Sequence, residues 1–130
     1  MNDILHTTIP LSLAGLVSAG IIVIGCFYIF APERVTGSFG LRQPAPDADT
    51  RAWLRLKGIR DIASGLAVIV LWLTTDTRTI GLILLALAVI PFGDMLNILL
   101  SGGQKSTALS VHGVTCAVML FAGLMLIHVF

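Results

Sequence analysis

The stretch Lys57-Gly58-Ile59-Arg60-Asp61-Ile62-Ala63-Ser64-Gly65-Leu66-Ala67-Val68-Ile69-Val70-Leu71-Trp72-Leu73-Thr74-Thr75 decides how this chain folds. Its uncharged part, 62–75, is fourteen residues long. As a helix that is about 21 Å, against ~30 Å of hydrocarbon in a bilayer. A helix crossing here must therefore carry Arg60 and Asp61 below the membrane surface.

The same arithmetic recurs in the third apolar run. There 80–93 is again fourteen uncharged residues, followed by Asp94 and Asn97. In the fourth run His112 stands fifteen residues before Ile127. Three helices thus place ionisable groups at nearly one depth, and Glu33 and Arg34 form a charged lip at the end of the first. Such groups are costly in lipid and normally face a partner or a wet cavity.

Composition agrees with a membrane setting. Of 130 residues, 56% are hydrophobic and 12% charged, whereas soluble domains run near 25% charged. A chain this short has too little interior to hide so much apolar surface. A membrane setting excludes a nucleic-acid binder, which would need a basic field; the net charge of +1 says little by itself. Apolar runs at 9–30, 54–73, 80–100 and 107–129 predict an all-α, four-helix transmembrane bundle in a single domain, 1–130. The helices are expected at about 9–30, 52–74, 79–100 and 107–129, with a cytoplasmic loop at 31–51. The flank Met1-Asn2-Asp3 has no basic residue and the first run is long, so it reads as a retained helix rather than a signal peptide.

Pro32, Gly37, Gly40, Pro44 and Pro46 keep the 31–51 loop out of helical geometry. Asp49 or Thr50 is the expected N-cap of the second helix. Trp53 and Phe39 are expected at headgroup depth, and Thr74-Thr75-Asp76-Thr77 and Ser101-Gly102-Gly103-Gln104 read as tight polar turns. Arg34, Arg42, Arg51, Arg55, Lys57 and Lys105 lie on one side, against Arg78 on the other. The positive-inside rule then puts both termini on the non-cytoplasmic face of a multi-pass protein, in the inner or plasma membrane if bacterial.

Lys57, Arg60 and Ser64 share one helix face by i, i+3, i+4 spacing, and Asp94 and Asn97 share another. Pro91 removes a hydrogen bond to the carbonyl of Leu87 and, with Gly93, predicts a kink beside Asp94. The candidate catalytic residues are Asp61, Asp94, Arg60 and His112; Asn97, Lys57 and Ser64 are candidate binding residues. The bland alternative is an Arg60–Asp94 ion pair that only fixes the register of the bundle. Cys26 and Cys116 lack a paired motif and read as small apolar fillers. His112 and Cys116 share a face, but two ligands do not make a metal site; neither metal nor cofactor is expected. Small-xxx-small pairs (Ala14/Ser18, Gly15/Ala19, Ala63/Ala67, Gly113/Ala117) predict close helix approach and are compatible with a homodimer. Leu100-Ser101-Gly102-Gly103-Gln104 spells the signature of nucleotide-driven transporters, but Gln104 replaces the glycine a phosphate loop needs before Lys105.

The strings Phe39-Gly40-Leu41, Lys57-Gly58-Ile59-Arg60-Asp61-Ile62-Ala63-Ser64-Gly65, Gly93-Asp94 and His112-Gly113 resemble a family of small four-span membrane proteins of bacteria and fungi, catalogued as a domain of unknown function. The GxRDxxxG core is the specific part. The resemblance implies a four-helix membrane fold and, through fungal relatives associated with polyketide pathways, epoxide opening. Two carboxylates and a guanidinium are also the side-chain types of limonene-type epoxide hydrolases, an unrelated soluble fold. By that analogy Asp94 with Asn97 activates water, Asp61 is the acid and Arg60 lies between them. The expected partners are membrane lipids and a lipophilic small molecule entering from the bilayer. The rival expectation is a non-catalytic subunit or small carrier whose Arg/Asp core is structural or ligand-binding. A multidrug carrier would want an acid within helix one, which has none between Ile4 and Phe30.

Overall fold

The structure, a computed structural model, describes residues 4–128. The flank at 1–3 and the end of the fourth predicted helix at Val129 lie outside them. Every regular element among the described residues is helical. A π-helical turn, Ile4–Thr8, leads into α1, Ile9–Phe30. The short α2, Pro32–Thr36, follows at once, and after an irregular stretch comes α3, Ala48–Thr74. Next are α4, Thr77–Leu87, and α5, Val89–Leu100. A single turn, α6, Lys105–Thr107, opens into a π-helical segment, Ala108–Gly113, continued by α7, Val114–Leu126.

The boundaries have local causes. The N-cap of α3 is Asp47, one turn earlier than the expected Asp49 or Thr50: its carboxylate accepts from the Thr50 backbone N–H at 2.8 Å and from its hydroxyl at 2.9 Å. Asp76 repeats the device at α4, accepting from the Thr79 N–H at 2.9 Å and its hydroxyl at 3.2 Å. In each case the threonine three residues on satisfies both carboxylate oxygens. Those bonds, the backbone N–H first, hold both carboxyls below their ordinary 3.8. Helix α4 gives way to α5 at Ala88, three residues before Pro91 and six before Asp94, beside which the kink is expected.

Three helical stretches are long and apolar enough to cross a membrane: Ile4–Phe30, Thr77–Leu100 and Lys105–Leu126. The sequence predicts four. At 27 residues α3 is long enough, but every 18-residue part of it contains Lys57, Arg60 and Asp61. It lies antiparallel along α1 for most of its length. A Cβ at Gly25 would stand 2.7 Å from the Gly58 carbonyl oxygen, and one at Gly58 would stand 2.6 Å from that of Gly25. Farther along, Gly65 abuts the Ser18 carbonyl and Gly15 receives the Trp72 ring. Glycine lets two backbones touch where a side chain would hold them apart.

A second antiparallel pair is formed by α4 and α5 against α7 and its π-helical lead. Here too two glycines oppose each other, a Cβ at Gly81 falling 2.8 Å from the Gly123 carbonyl oxygen. Of the predicted small-residue pairs, Gly15, Ser18 and Gly113 meet neighbouring helices, whereas Ala63 and Ala67 are exposed. The two helix pairs close on one core: Ala14, Val68, Ile80, Leu84, Ala88, Cys116, Met119, Ala122 and Leu126. That core fills the half of the bundle nearest the Thr74–Thr77 hairpin. Cys116 is buried there, its thiol donating to the Ala88 carbonyl at 3.6 Å.

At the opposite end a clasp joins the pairs. The Gln104 N–H donates to the Gly40 carbonyl at 2.8 Å. Gly40 has φ +100°, open to glycine and strained for other residues. Gly103 comes so close to the same carbonyl that a Cβ would lie 2.5 Å from it. The chain after α2 is thereby drawn across the end of the bundle.

Candidate functional site

Beneath that crossing segment, between the two helix pairs, is a cavity of about 290 Å³. Its walls come from α1, α3, α4, α5, the 35–39 segment and α7 with its π-helical lead. Most of the lining is apolar, with Lys57, Asp94 and His112 converging at the clasp end.

Lys57 Nζ donates to Asp61 Oδ2 at 2.8 Å, the two being one helical turn apart on α3. The ammonium also lies 4.8 Å from the centre of the Tyr28 ring and 5.3 Å from that of Phe39, within the reach of cation–π attraction. Asp61 is 5% exposed, and the Lys57 ammonium is the partner its carboxyl finds there.

His112 occupies the π-helical segment, the kind of local irregularity that re-aims a side chain. Its Nε2 faces the Phe39 carbonyl oxygen at 3.3 Å, and the two rings meet edge to face at 4.7 Å. A carbonyl only accepts, so Nε2 is the nitrogen assigned the hydrogen. Its Nδ1 then faces Asp94 Oδ2 at 3.7 Å. Two lone pairs would repel there; one proton held by either group makes the contact attractive.

The residues singled out from sequence separate in space. Lys57, Ser64, Asp94 and His112 line the cavity. Asp61 is buried behind Lys57 rather than on the cavity wall. Arg60 and Asn97 are exposed and line no part of it. Among the described residues no carboxylate pairs with Arg60, so the Arg60–Asp94 ion pair is replaced by Lys57–Asp61 and His112–Asp94. The reason is rotational: Gly58, Asp61, Gly65 and Val68 are the buried face of α3, which turns Arg60 outward. Phe39, expected at headgroup depth, turns inward onto His112 and Lys57.

Three polar contributors were not anticipated. Tyr28, the chain's single tyrosine, is 2% exposed and lies under the Lys57 ammonium. Its polar position in an otherwise apolar run was the available signal. Thr115 and Ser18 also line the cavity, but their hydroxyls donate to the Val111 and Ala14 carbonyls at 2.7 Å. They are therefore weak candidates for ligand contact. Among the described residues no three His, Cys, Asp or Glu side chains converge as metal ligands.

Helices of membrane-spanning length enclosing a cavity with ionisable groups at one end define a small helical membrane protein. The chain belongs to the family described as Domain of unknown function (DUF4267), which it matches over residues 18–126. No curated protein and no solved structure matches it.

Proposed function

We propose that the protein is a four-span membrane enzyme that opens an epoxide on a lipophilic small molecule by acid/base chemistry in this cavity. The observation that carries the reading is the convergence of Lys57, Asp94 and His112, from three separate helices, on one end of an otherwise apolar space. Apolar pockets with a few convergent polar groups are the usual form of small-molecule sites. The fourth span is α3: it follows α1 closely, and its outward face beyond Arg60 is Leu66, Val70 and Leu73. Orientation follows from the basic residues at the clasp end, which put that end in the cytoplasm and both termini outside.

In this reading Asp94 and His112 take a proton from water as it attacks an epoxide carbon. The C–O bond breaks, and the released oxygen receives a proton from Lys57, which Asp61 holds in place. The proton gained by the Asp94–His112 pair returns to Lys57 through cavity water, and the product is a diol. Arg60 and Asn97 have no part. The rival reading is a non-catalytic subunit or small carrier whose Arg/Asp core is structural or ligand-binding; the exposure of Arg60 counts against its structural form, which needs Arg60 to meet Asp94.

The test is diol formation from a lipophilic terminal epoxide in water enriched in ¹⁸O, with protein reconstituted in vesicles. Asp94→Asn and His112→Phe should each lower turnover by roughly 10²–10⁴ while the protein still inserts and elutes as the wild type does. Failure of the wild type to form labelled diol, or full activity in Asp94→Asn, would overturn the proposal.

A further inference from the structure

The cavity is long and narrow, and its chemistry changes from one end to the other. On α3 it is lined from Lys57 to Val68, and on α1 from Tyr28 to Val17. Each interval is eleven residues of unbroken helix, about 16 Å. The ionisable groups occupy one end of that length. The other end is closed by Val68, Leu84 and Met119, which are 3%, 1% and 6% exposed and belong to the packed core. Between them the wall is aliphatic: Val17, Ile21 and Ile24 of α1, with Leu87 and Ile90 opposite. A volume of about 290 Å³ is at the small end for ligand pockets, room for one chain and too little for a two-chain lipid.

We infer that the ligand is a single-chain amphiphile. Its oxygen function sits at Lys57, Asp94 and His112, its hydrocarbon chain runs along α1, and Val68, Leu84 and Met119 set the longest chain accepted. This deepens the acid/base reading above and rests on it for the identity of the polar end. An extended chain advances ~1.2 Å per bond, so ten to twelve carbons measure about 11–13 Å between end atoms, and the terminal methyl and the oxygen function take up the rest of the ~16 Å. A longer chain must bend or expel its end into the core, where no room exists without displacing packed side chains.

The experiment uses the full chain in lipid nanodiscs and a series of 1,2-alkanediols as probes, from about six to about sixteen carbons, bracketing the ~16 Å space. Affinity should rise with chain length to about twelve carbons and then fall. Val68→Phe should move that break to shorter chains by about two to four carbons, and Leu84→Ala should move it to longer ones. Should Val68→Phe fail to elute as folded protein, Leu84→Ala decides alone, since it only removes bulk. An identical break in wild type and variants, no break at all, or no diol binding at any length overturns the inference. Turnover of the matching 1,2-epoxyalkanes separates it from the catalytic reading. Length-dependent binding without epoxide opening keeps the chain inference and removes the enzyme; opening that is indifferent to length does the reverse.

Discussion

A rotation of about 100° separates adjacent residues on a helix, and on α3 it decides which cation serves the site. Lys57, Asp61, Ser64 and Val68 form one stripe, whereas Arg60 lies on its outer flank with the exposed Ala63 and Ala67 at i+3 and i+7. The sequence displays both cations at the correct depth but does not mark the buried face. Glycines at 58 and 65 carried that information, because the backbone of α1 rests on them. The pairing has an energetic consequence. Lys57→Met leaves Asp61 as a buried, uncompensated carboxylate and should cost about 3–5 kcal/mol. Arg60→Gln, on the exposed face, should stay within about 0.5 kcal/mol of wild type. Reversible unfolding in detergent measures both, and Lys57→Met with Asp61→Leu should recover part of the loss. Equal costs for Lys57→Met and Arg60→Gln would contradict this account.

Helix contacts follow from which residues lack side chains. At Gly58 an added Cβ meets a backbone oxygen at 2.6 Å and the Tyr28 Cβ at 2.9 Å, so α1 and α3 would have to part. Gly58→Ala should therefore destabilise the protein by about 1–3 kcal/mol, in the manner of an overpacked core. Gly20, where an added Cβ meets nothing within 4 Å, should accept Ala without that loss. Thermal unfolding of the two variants side by side checks the contrast. The all-helical class was legible because the hydrophobic period acts locally. The π-helical segment carrying His112 was not, since nothing in Ala108–Gly113 departs from an ordinary apolar helix pattern. The inward turn of Phe39 was likewise hidden: it depends on the Gly40–Gln104 bond, between positions far apart in the chain.

At the scale of the molecule, depth was readable and direction was not. Counting uncharged residues placed Asp61, Asp94 and His112 near one level, and the Lys57–Asp61 and His112–Asp94 contacts lie at one end of the cavity. Which groups touch depended on the packing of two antiparallel helix pairs, which composition does not encode. The four-span topology is tested by single cysteines in a variant lacking Cys26 and Cys116. Gln43→Cys should react with an impermeant maleimide only from the cytoplasmic side and Arg78→Cys only from the other; labelling of both from one side would remove α3 as a span. Within each helix pair glycines bring backbones into contact, whereas between the pairs the cavity interrupts packing at the clasp end. The seam is thus the softest direction in the structure. An occupant can be accommodated by a scissor motion about the Thr74–Thr77 hairpin, with the Gly40–Gln104 bond as its latch, leaving both helix pairs internally rigid.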